Sequence, residues 1–170
     1  MGCQRIVTPL FFDAMAENFV VATGDKRAKY ELLYRQVEAL VEGESDAIAN
    51  MANVAAMIDA TFHFWWTGFY RVVGEELVLG PFQGPVACSR IAYGRGVCGT
   101  AWRERRSIVV EDVDKFEGHI ACSSASRSEI VVPIISEGAV VALLDIDSEH
   151  LAMFDATDSE WLERIVSLLA

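Results

Sequence analysis

Basic residues are scarce in this sequence of 170 residues. The 14 lysines and arginines are outnumbered by 25 aspartates and glutamates, which gives a formal net charge of -11 at pH 7. A protein of this charge repels phosphate backbones and anionic lipid headgroups. The composition therefore argues against a nucleic-acid-binding protein and against a protein that binds membrane surfaces.

Long apolar runs are also missing from the N-terminal stretch. Asp13 and Glu17 interrupt its apolar residues before a signal-type run of roughly 7–15 residues could form. No export signal is recognised, so we expect a cytoplasmic protein, in a compartment where thiols are normally kept reduced.

The spacings of zinc sites are absent as well. The chain has neither C-x-x-C nor H-x-x-x-H, and two predicted strands separate His119 from His150. We therefore expect no metal and no other cofactor.

What the sequence does contain is enough apolar material for one core. Hydrophobic residues make up 52% of the chain, and no repeat or interdomain linker is visible. We interpret residues 1–24 as an extension and residues 25–170 as a single domain.

Hydrophobic periodicity predicts the main elements of that domain. Apolar residues at helical spacing predict one helix from about Asp25, a second from about Asp46 to Phe62, and a last helix from about Asp155. Aromatic and β-branched segments between them predict a hairpin that ends before a loop at Gly80, then further short strands. The pattern indicates an α+β fold whose sheet has five or six mainly antiparallel strands, with helices on one face and loops on the other.

Three cysteines, Cys88, Cys98 and Cys122, lie in segments rich in glycine, serine and histidine rather than in apolar runs. A reactive cysteine needs solvent access and neighbours that favour its thiolate, whereas a cysteine kept for packing sits in apolar surroundings. Cys98 is predicted in the first turn of a short helix, where unpaired N–H groups and the helix dipole would act on its sulfur. The placement of the three cysteines indicates thiol chemistry.

Acidic residues are predicted to converge beside these loops. Asp145 and Asp147 are two apart on a predicted strand and so share a face, and Glu129 begins the neighbouring strand. The alternative is a polar strand end that faces water. If the three carboxyls do meet, they raise one another's pKa, and one can serve as the general acid that protonates an oxygen leaving sulfur.

Aromatic residues alternate along the first predicted strand. Trp66 and Tyr70 share one face and are candidates for lining a small-molecule site, whereas Trp65 and Phe69 are expected in the core.

At these residues the chain closely resembles the free methionine-(R)-sulfoxide reductases, enzymes built on a GAF domain. The motifs that carry the resemblance run from about Tyr30 to Ile165 and include EGESDAIANMANVAAMI, FWWTGFY, RGVCGTAW, GHIAC and LDIDS. The resemblance implies a GAF-like fold, reduction of free methionine-(R)-sulfoxide to methionine, thioredoxin as the reductant, and a homodimer.

The resemblance also implies residue roles. Cys122 would attack the sulfoxide sulfur and become a sulfenic acid, and Cys88 would condense with it to a disulfide. Cys98 would be an alternative resolving thiol or a relay thiol, ranked below Cys88. The acids Glu129, Asp145 and Asp147 would bind the head group or protonate the oxygen, and Trp66 and Tyr70 would enclose the methyl end.

Two alternatives remain open on the sequence. One is a non-catalytic GAF module that binds a small ligand, because a fold alone does not fix a function. The other is a redox-sensing module whose cysteines form a disulfide in response to oxidant.

Overall fold

The computed structural model describes residues 19–118 and 124–170. Over these residues the helices and strands follow in the order α1 (Lys26–Val41), α2 (Ala47–Phe62), β1 (Trp66–Val73), β2 (Glu76–Gln83), β3 (Arg90–Ala92), α3 (Gly96–Glu104), β4 (Ile108–Val110), β5 (Ser128–Ser136), β6 (Ala139–Ser148) and α4 (Ala156–Ser167). A single 3-10 turn, Val113–Lys115, follows β4. None of the helices in these two ranges is long and apolar enough to span a bilayer.

The strands form one antiparallel sheet of six strands in the order β3-β2-β1-β6-β5-β4. The first and last long strands, β1 and β6, therefore pair at its centre. This is the α+β architecture that the sequence predicts.

Aspartate caps fix the starts of three helices where the sequence predicts them. Asp25 accepts a hydrogen bond from the Ala28 N–H at 2.9 Å, and Asp46 accepts from Ile48 at 2.8 Å. Asp155 caps α4 in a capping box with Asp158. Such caps satisfy N–H groups that have no partner inside the helix.

One face of the sheet packs against α1, α2 and α4. The apolar cluster on this helix side joins inward-facing residues of β1, β5 and β6, including Phe69, Ile130 and Ile146, to Leu33, Ile58 and Leu162 of the helices. Phe69 is a core residue, as predicted.

The opposite face carries a second cluster, formed with the short helix α3 and the loops. It contains Trp66, Tyr70, Leu77, Val97, Cys98 and Val131, among others. Trp65 is half-buried and packs against this cluster, so its expected place in the core beside Phe69 is wrong. It precedes β1 and does not follow the strand's alternation.

The expected end of the second strand at Gly80 is also wrong, because β2 continues to Gln83. The pairing of β1 with β2 shifts register between Gly68 and Tyr70, which places Gly80 and Pro81 at a bulge. Because β3 pairs with β2 only over Glu76–Val78, the N–H that Pro81 lacks is not needed by the ladder.

Candidate active site

Strand register brings the three predicted acids together on the loop side of the sheet. Glu129 of β5 lies opposite Asp147 of β6, and Asp147 also lies opposite Trp66 of β1. Asp145, two residues earlier, shares this face, whereas Ile146 between them belongs to the helix-side core. The prediction that Asp145 and Asp147 project from one face is confirmed.

These carboxyls are withdrawn from water. Glu129 and Asp145 are each 6% exposed, and Asp147 is partly buried. Neither Asp145 nor Asp147 forms an ion pair with a described residue. Burial of a charge without a partner is strongly unfavourable, so such groups tend to keep a proton.

The acids therefore titrate above their ordinary range. Burial, followed by the charges of Asp145 and Asp147, raises the pKa of Glu129 well above its usual value. Burial and Asp147 raise the pKa of Asp145 in the same way. Burial raises the pKa of Asp147 to about 6, against a smaller opposing effect of the hydrogen bond from Ser126. Because the Glu129 and Asp145 carboxyls hydrogen-bond to each other, at least one proton lies between them.

The two carboxyl oxygens of Asp145 have different surroundings. Its carboxyl accepts a hydrogen bond from the Cys98 thiol, yet its Oδ1 is buried and has no hydrogen-bond partner among the described residues. Buried polar atoms are almost always satisfied, so an unsatisfied one calls for an explanation such as a ligand.

Beside this oxygen lies a small cavity of about 280 Å³ of empty space, including the part open to solvent. Its lining consists of the aromatic and acidic residues just described and one loop: Trp66, Tyr70, Pro85, Val86, Ala87, Asp145 and Asp147. Apolar and aromatic walls with a few convergent polar groups are typical of small-molecule sites. Trp66 and Tyr70 both line this cavity, and their contact with a small molecule stays a prediction.

Comparison with known proteins identifies the family. The GAF domain family matches residues 43–170. GAF domain-containing protein A of Dictyostelium discoideum is 52% identical to this chain over 156 residues, which cover 91% of this chain and 99% of the relative. The free methionine-R-sulfoxide reductase of Escherichia coli (strain K12) is 42% identical over 146 residues, covering 85% of this chain and 88% of the relative.

A solved structure agrees with these relatives. The X-ray structure of free methionine-R-sulfoxide reductase from Neisseria meningitidis in complex with its substrate has a TM-score of 0.87 and 50% identity, covering 89% of this chain and 92% of that chain. The chain belongs to the free methionine-(R)-sulfoxide reductase family. It is thus an oxidoreductase built on a GAF domain, and the resemblance drawn from the motifs is confirmed.

Cys98 occupies the predicted first turn of α3 in this reductase, but its expected exposure is wrong. The side chain is 3% exposed and packs in the loop-side cluster. Burial, together with the negative charges of Asp145 and Glu129, raises the pKa of the Cys98 thiol well above its usual value. The tertiary environment overrides the helix dipole, so Cys98 keeps its proton, and its S–H donates a hydrogen bond to Asp145.

Cys98, Glu129 and Asp145 offer ligand atoms within 4.8 Å of one another. The hydrogen bond that the Cys98 thiol donates to Asp145, and the one between the Glu129 and Asp145 carboxyls, account for this proximity.

Cys88 is half-buried at the end of the loop that lines the cavity. It is disulfide-bonded. Cys98 is free. Cys122 and His119 lie outside the described residues. His150 is exposed, and its backbone carbonyl accepts a hydrogen bond from Ser128 at 2.7 Å.

Sequence reasoning missed Pro85, Val86 and Ala87, which line the cavity, and Ser126, which contacts Asp147. The turn signals of Gly84 and Pro85 mark a loop, but no sequence signal shows where that loop packs.

Proposed function

We propose that this enzyme reduces free methionine-(R)-sulfoxide to methionine, with Cys122 as the nucleophile and the cluster of Glu129, Asp145 and Asp147 as the acid and binding groups. The single observation that carries the proposal is the Oδ1 of buried Asp145, which has no hydrogen-bond partner among the described residues and lies in a carboxyl cluster beside a small pocket.

The carboxyl cluster supplies the acid that the reaction needs. Attack of the Cys122 sulfur on the sulfoxide sulfur places negative charge on the sulfoxide oxygen. The proton shared by Glu129 and Asp145 can neutralise that charge, because burial and neighbouring negative charge raise the pKa values of both carboxyls well above their usual range. The S–O bond of the sulfoxide breaks and its oxygen passes, as a hydroxyl, to the Cys122 sulfur. The sulfoxide sulfur gains two electrons and leaves as methionine, and Cys122 loses two electrons and becomes a sulfenic acid.

The second step makes a disulfide. The Cys88 thiol attacks the sulfenic sulfur of Cys122 and releases water, and the two sulfurs form the S–S bond. That Cys88 is disulfide-bonded supports its part as the resolving cysteine. Because Cys98 is buried and keeps its proton, it is better suited to hydrogen-bonding Asp145 than to resolving the sulfenic acid.

The cavity favours a free amino acid over a peptide. Asp147 has a pKa of about 6 and is mostly ionised at pH 7, so it attracts the ammonium group that a residue inside a polypeptide lacks. Trp66 and Tyr70 supply an apolar wall for the methyl end.

The remaining parts of the proposal concern partners and location. Thioredoxin is the proposed reductant because a half-buried disulfide such as that of Cys88 can be opened by thiol–disulfide exchange. A homodimer follows from the family resemblance, and a cytoplasmic location follows from the need for reduced thiols.

The test is a direct assay with each sulfoxide epimer. Reduced enzyme supplied with dithiothreitol should convert free methionine-(R)-sulfoxide to methionine, measured by chromatography. It should leave the S epimer untouched and reduce N-acetylmethionine-(R)-sulfoxide at least about tenfold more slowly, since that analogue lacks the ammonium group.

Cysteine variants complete the test. Cys122→Ser should abolish methionine formation, whereas Cys3→Ser, the matched substitution in the N-terminal extension, should retain it. Equal reduction of both epimers, or full activity of Cys122→Ser, contradicts the proposal.

A further inference from the structure

The two aromatic residues of the cavity wall also contact the backbone of the loop that carries Cys88. We call residues 84–88 the 84–88 loop. The Tyr70 hydroxyl donates a hydrogen bond to the Cys88 carbonyl at 2.9 Å, and the Trp66 indole N–H donates to the Pro85 carbonyl at 3.0 Å. Both ends of the loop are therefore held by side chains of the central strand β1.

Neither aromatic side chain has freedom to move away from the loop. Tyr70 is 1% exposed and Trp66 is 4% exposed. Their rings stack at a centroid distance of 6.0 Å, and Phe82 stacks on the other side of Trp66 at 5.4 Å. Burial also raises the pKa of Tyr70 far above its usual value, so its hydroxyl keeps the proton that it donates.

Two glycines make room for this arrangement. A Cβ added at Gly68 would lie 2.5 Å from the Trp66 ring, and one added at Gly84 would lie 2.8 Å from it. Gly84 also has a φ of +123°, a conformation that other residues rarely adopt. The position of the Trp66 ring over β1 thus depends on Gly68, and the close approach of the loop to Trp66 depends on Gly84.

We propose that Tyr70 and Trp66 are positioning residues for Cys88, and that their hydrogen bonds to the 84–88 loop hold the Cys88 backbone in the place where its sulfur forms and keeps the disulfide. The proposal rests on the proposed function for the reaction in which this disulfide arises. The hydrogen bonds themselves are seen with Cys88 already disulfide-bonded.

The physical reason is the effective concentration of the resolving thiol. The tip of the loop is exposed to solvent, since Val86 is 89% exposed. A thiol on a mobile loop encounters the sulfenic sulfur less often than a thiol that is held close to it. Fixing two backbone carbonyls restricts the loop at the residue that must react.

The first experiment needs no sulfoxide. Wild type and Tyr70→Phe are equilibrated with mixtures of reduced and oxidised glutathione, in which two glutathione thiols reduce the protein disulfide and become glutathione disulfide. Loss of one net hydrogen bond should shift the midpoint about threefold to tenfold toward the reduced protein. Tyr93→Phe, which removes a hydroxyl from a 53% exposed tyrosine away from the cavity, should titrate like wild type. Coincident curves for Tyr70→Phe and wild type would overturn the proposal.

The second experiment separates the two chemical steps. Reduced protein is mixed with methionine-(R)-sulfoxide in rapid quench, methionine is measured, and the sulfenic acid is trapped with a cyclic 1,3-diketone. Tyr70→Phe should slow disulfide formation more than methionine release, so the trapped fraction rises. Equal slowing of both steps would indicate a merely structural role and overturn the proposal. If wild type releases no methionine, the proposed function fails, while the glutathione titration still decides the role of Tyr70.

Discussion

Two buried aspartates on opposite sides of the sheet have very different surroundings. Asp158 of α4 is 0% exposed and Asp145 of β6 is 6% exposed. Asp158 accepts hydrogen bonds from the Lys26 ammonium at 2.6 Å, the Tyr30 hydroxyl at 2.8 Å and the Asp155 N–H at 2.8 Å. Asp145 accepts from a neutral thiol, and its Oδ1 has no partner among the described residues.

The difference separates a structural carboxylate from a functional one. Asp158 ties α1 to α4, and its charge is compensated by donors that the fold itself supplies. Asp145 instead has a carboxyl oxygen that accepts no hydrogen bond from the described residues, and it shares a proton with the neighbouring Glu129. A buried group left in this state lowers stability, and such sites are retained where a ligand completes them.

Substitution of Asp145 should have the largest effect, which is on catalytic activity. Asp145→Asn keeps the shape of the side chain but removes the carboxyl that shares a proton with Glu129. We expect kcat/KM for methionine-(R)-sulfoxide to fall about 10²- to 10⁴-fold, the range associated with loss of a general acid. The free energy of unfolding should stay within about 1 kcal/mol of wild type, because a neutral amide replaces a carboxyl that already favours its neutral form. Steady-state kinetics and urea unfolding measure the two quantities.

A matched exposed site controls for loss of charge alone. Asp114 is exposed, so Asp114→Asn should alter neither kcat/KM nor stability. If Asp145→Asn unfolds the protein, or if it retains wild-type kcat/KM, the distinction between the two buried aspartates is wrong.

Substitution of Asp158 should have the next largest effect, which is a loss of stability. Asp158→Asn leaves Lys26 and Tyr30 facing an amide, so the free energy of unfolding should fall by about 2–3 kcal/mol. This is less than for a fully buried pair, because the Lys26 side chain is 33% exposed and water screens it. Well below the unfolding temperature, kcat/KM should equal that of wild type. A stable variant with impaired kcat/KM would show that the helix-side aspartate also serves the reaction.

Much of the framework that holds Asp145 could be predicted from local sequence. Aspartate before an apolar periodic stretch is sufficient to place the starts of α1, α2 and α4 at Asp25, Asp46 and Asp155. Strand alternation is equally local, so the shared face of Asp145 and Asp147 and the burial of Ile146 between them follow from spacing.

What could not be predicted depends on contacts between distant segments. Cys98 has a polar, glycine-rich sequence context, yet α3 packs it against β5 and β6, and burial reverses the expected effect of the helix terminus on its pKa. The hydrogen bond from Tyr70 to Cys88 spans 18 residues, and the bulge at which β2 continues past Gly80 lies between them in sequence. Nor does any local pattern show that Asp158 would meet Lys26 at the far end of the chain.

Substitution of Asp147 should have the smallest effect, which is on the pH dependence of kcat/KM. Asp147 has a pKa of about 6, so it is mostly ionised at pH 7 and becomes neutral as the pH falls. If its charge binds the substrate ammonium, kcat/KM must decrease on the acid side, with a limb near pH 6 that approaches tenfold per pH unit. The midpoint of this limb gives the pKa of the group in the free enzyme, because kcat/KM depends on groups that titrate before the substrate binds. Asp147→Asn should lower kcat/KM at pH 7 and remove the limb, whereas Asp114→Asn should preserve it. An acid limb that persists unchanged in Asp147→Asn would assign the ammonium to another group and leave Asp147 as a neighbour that raises the pKa of Asp145.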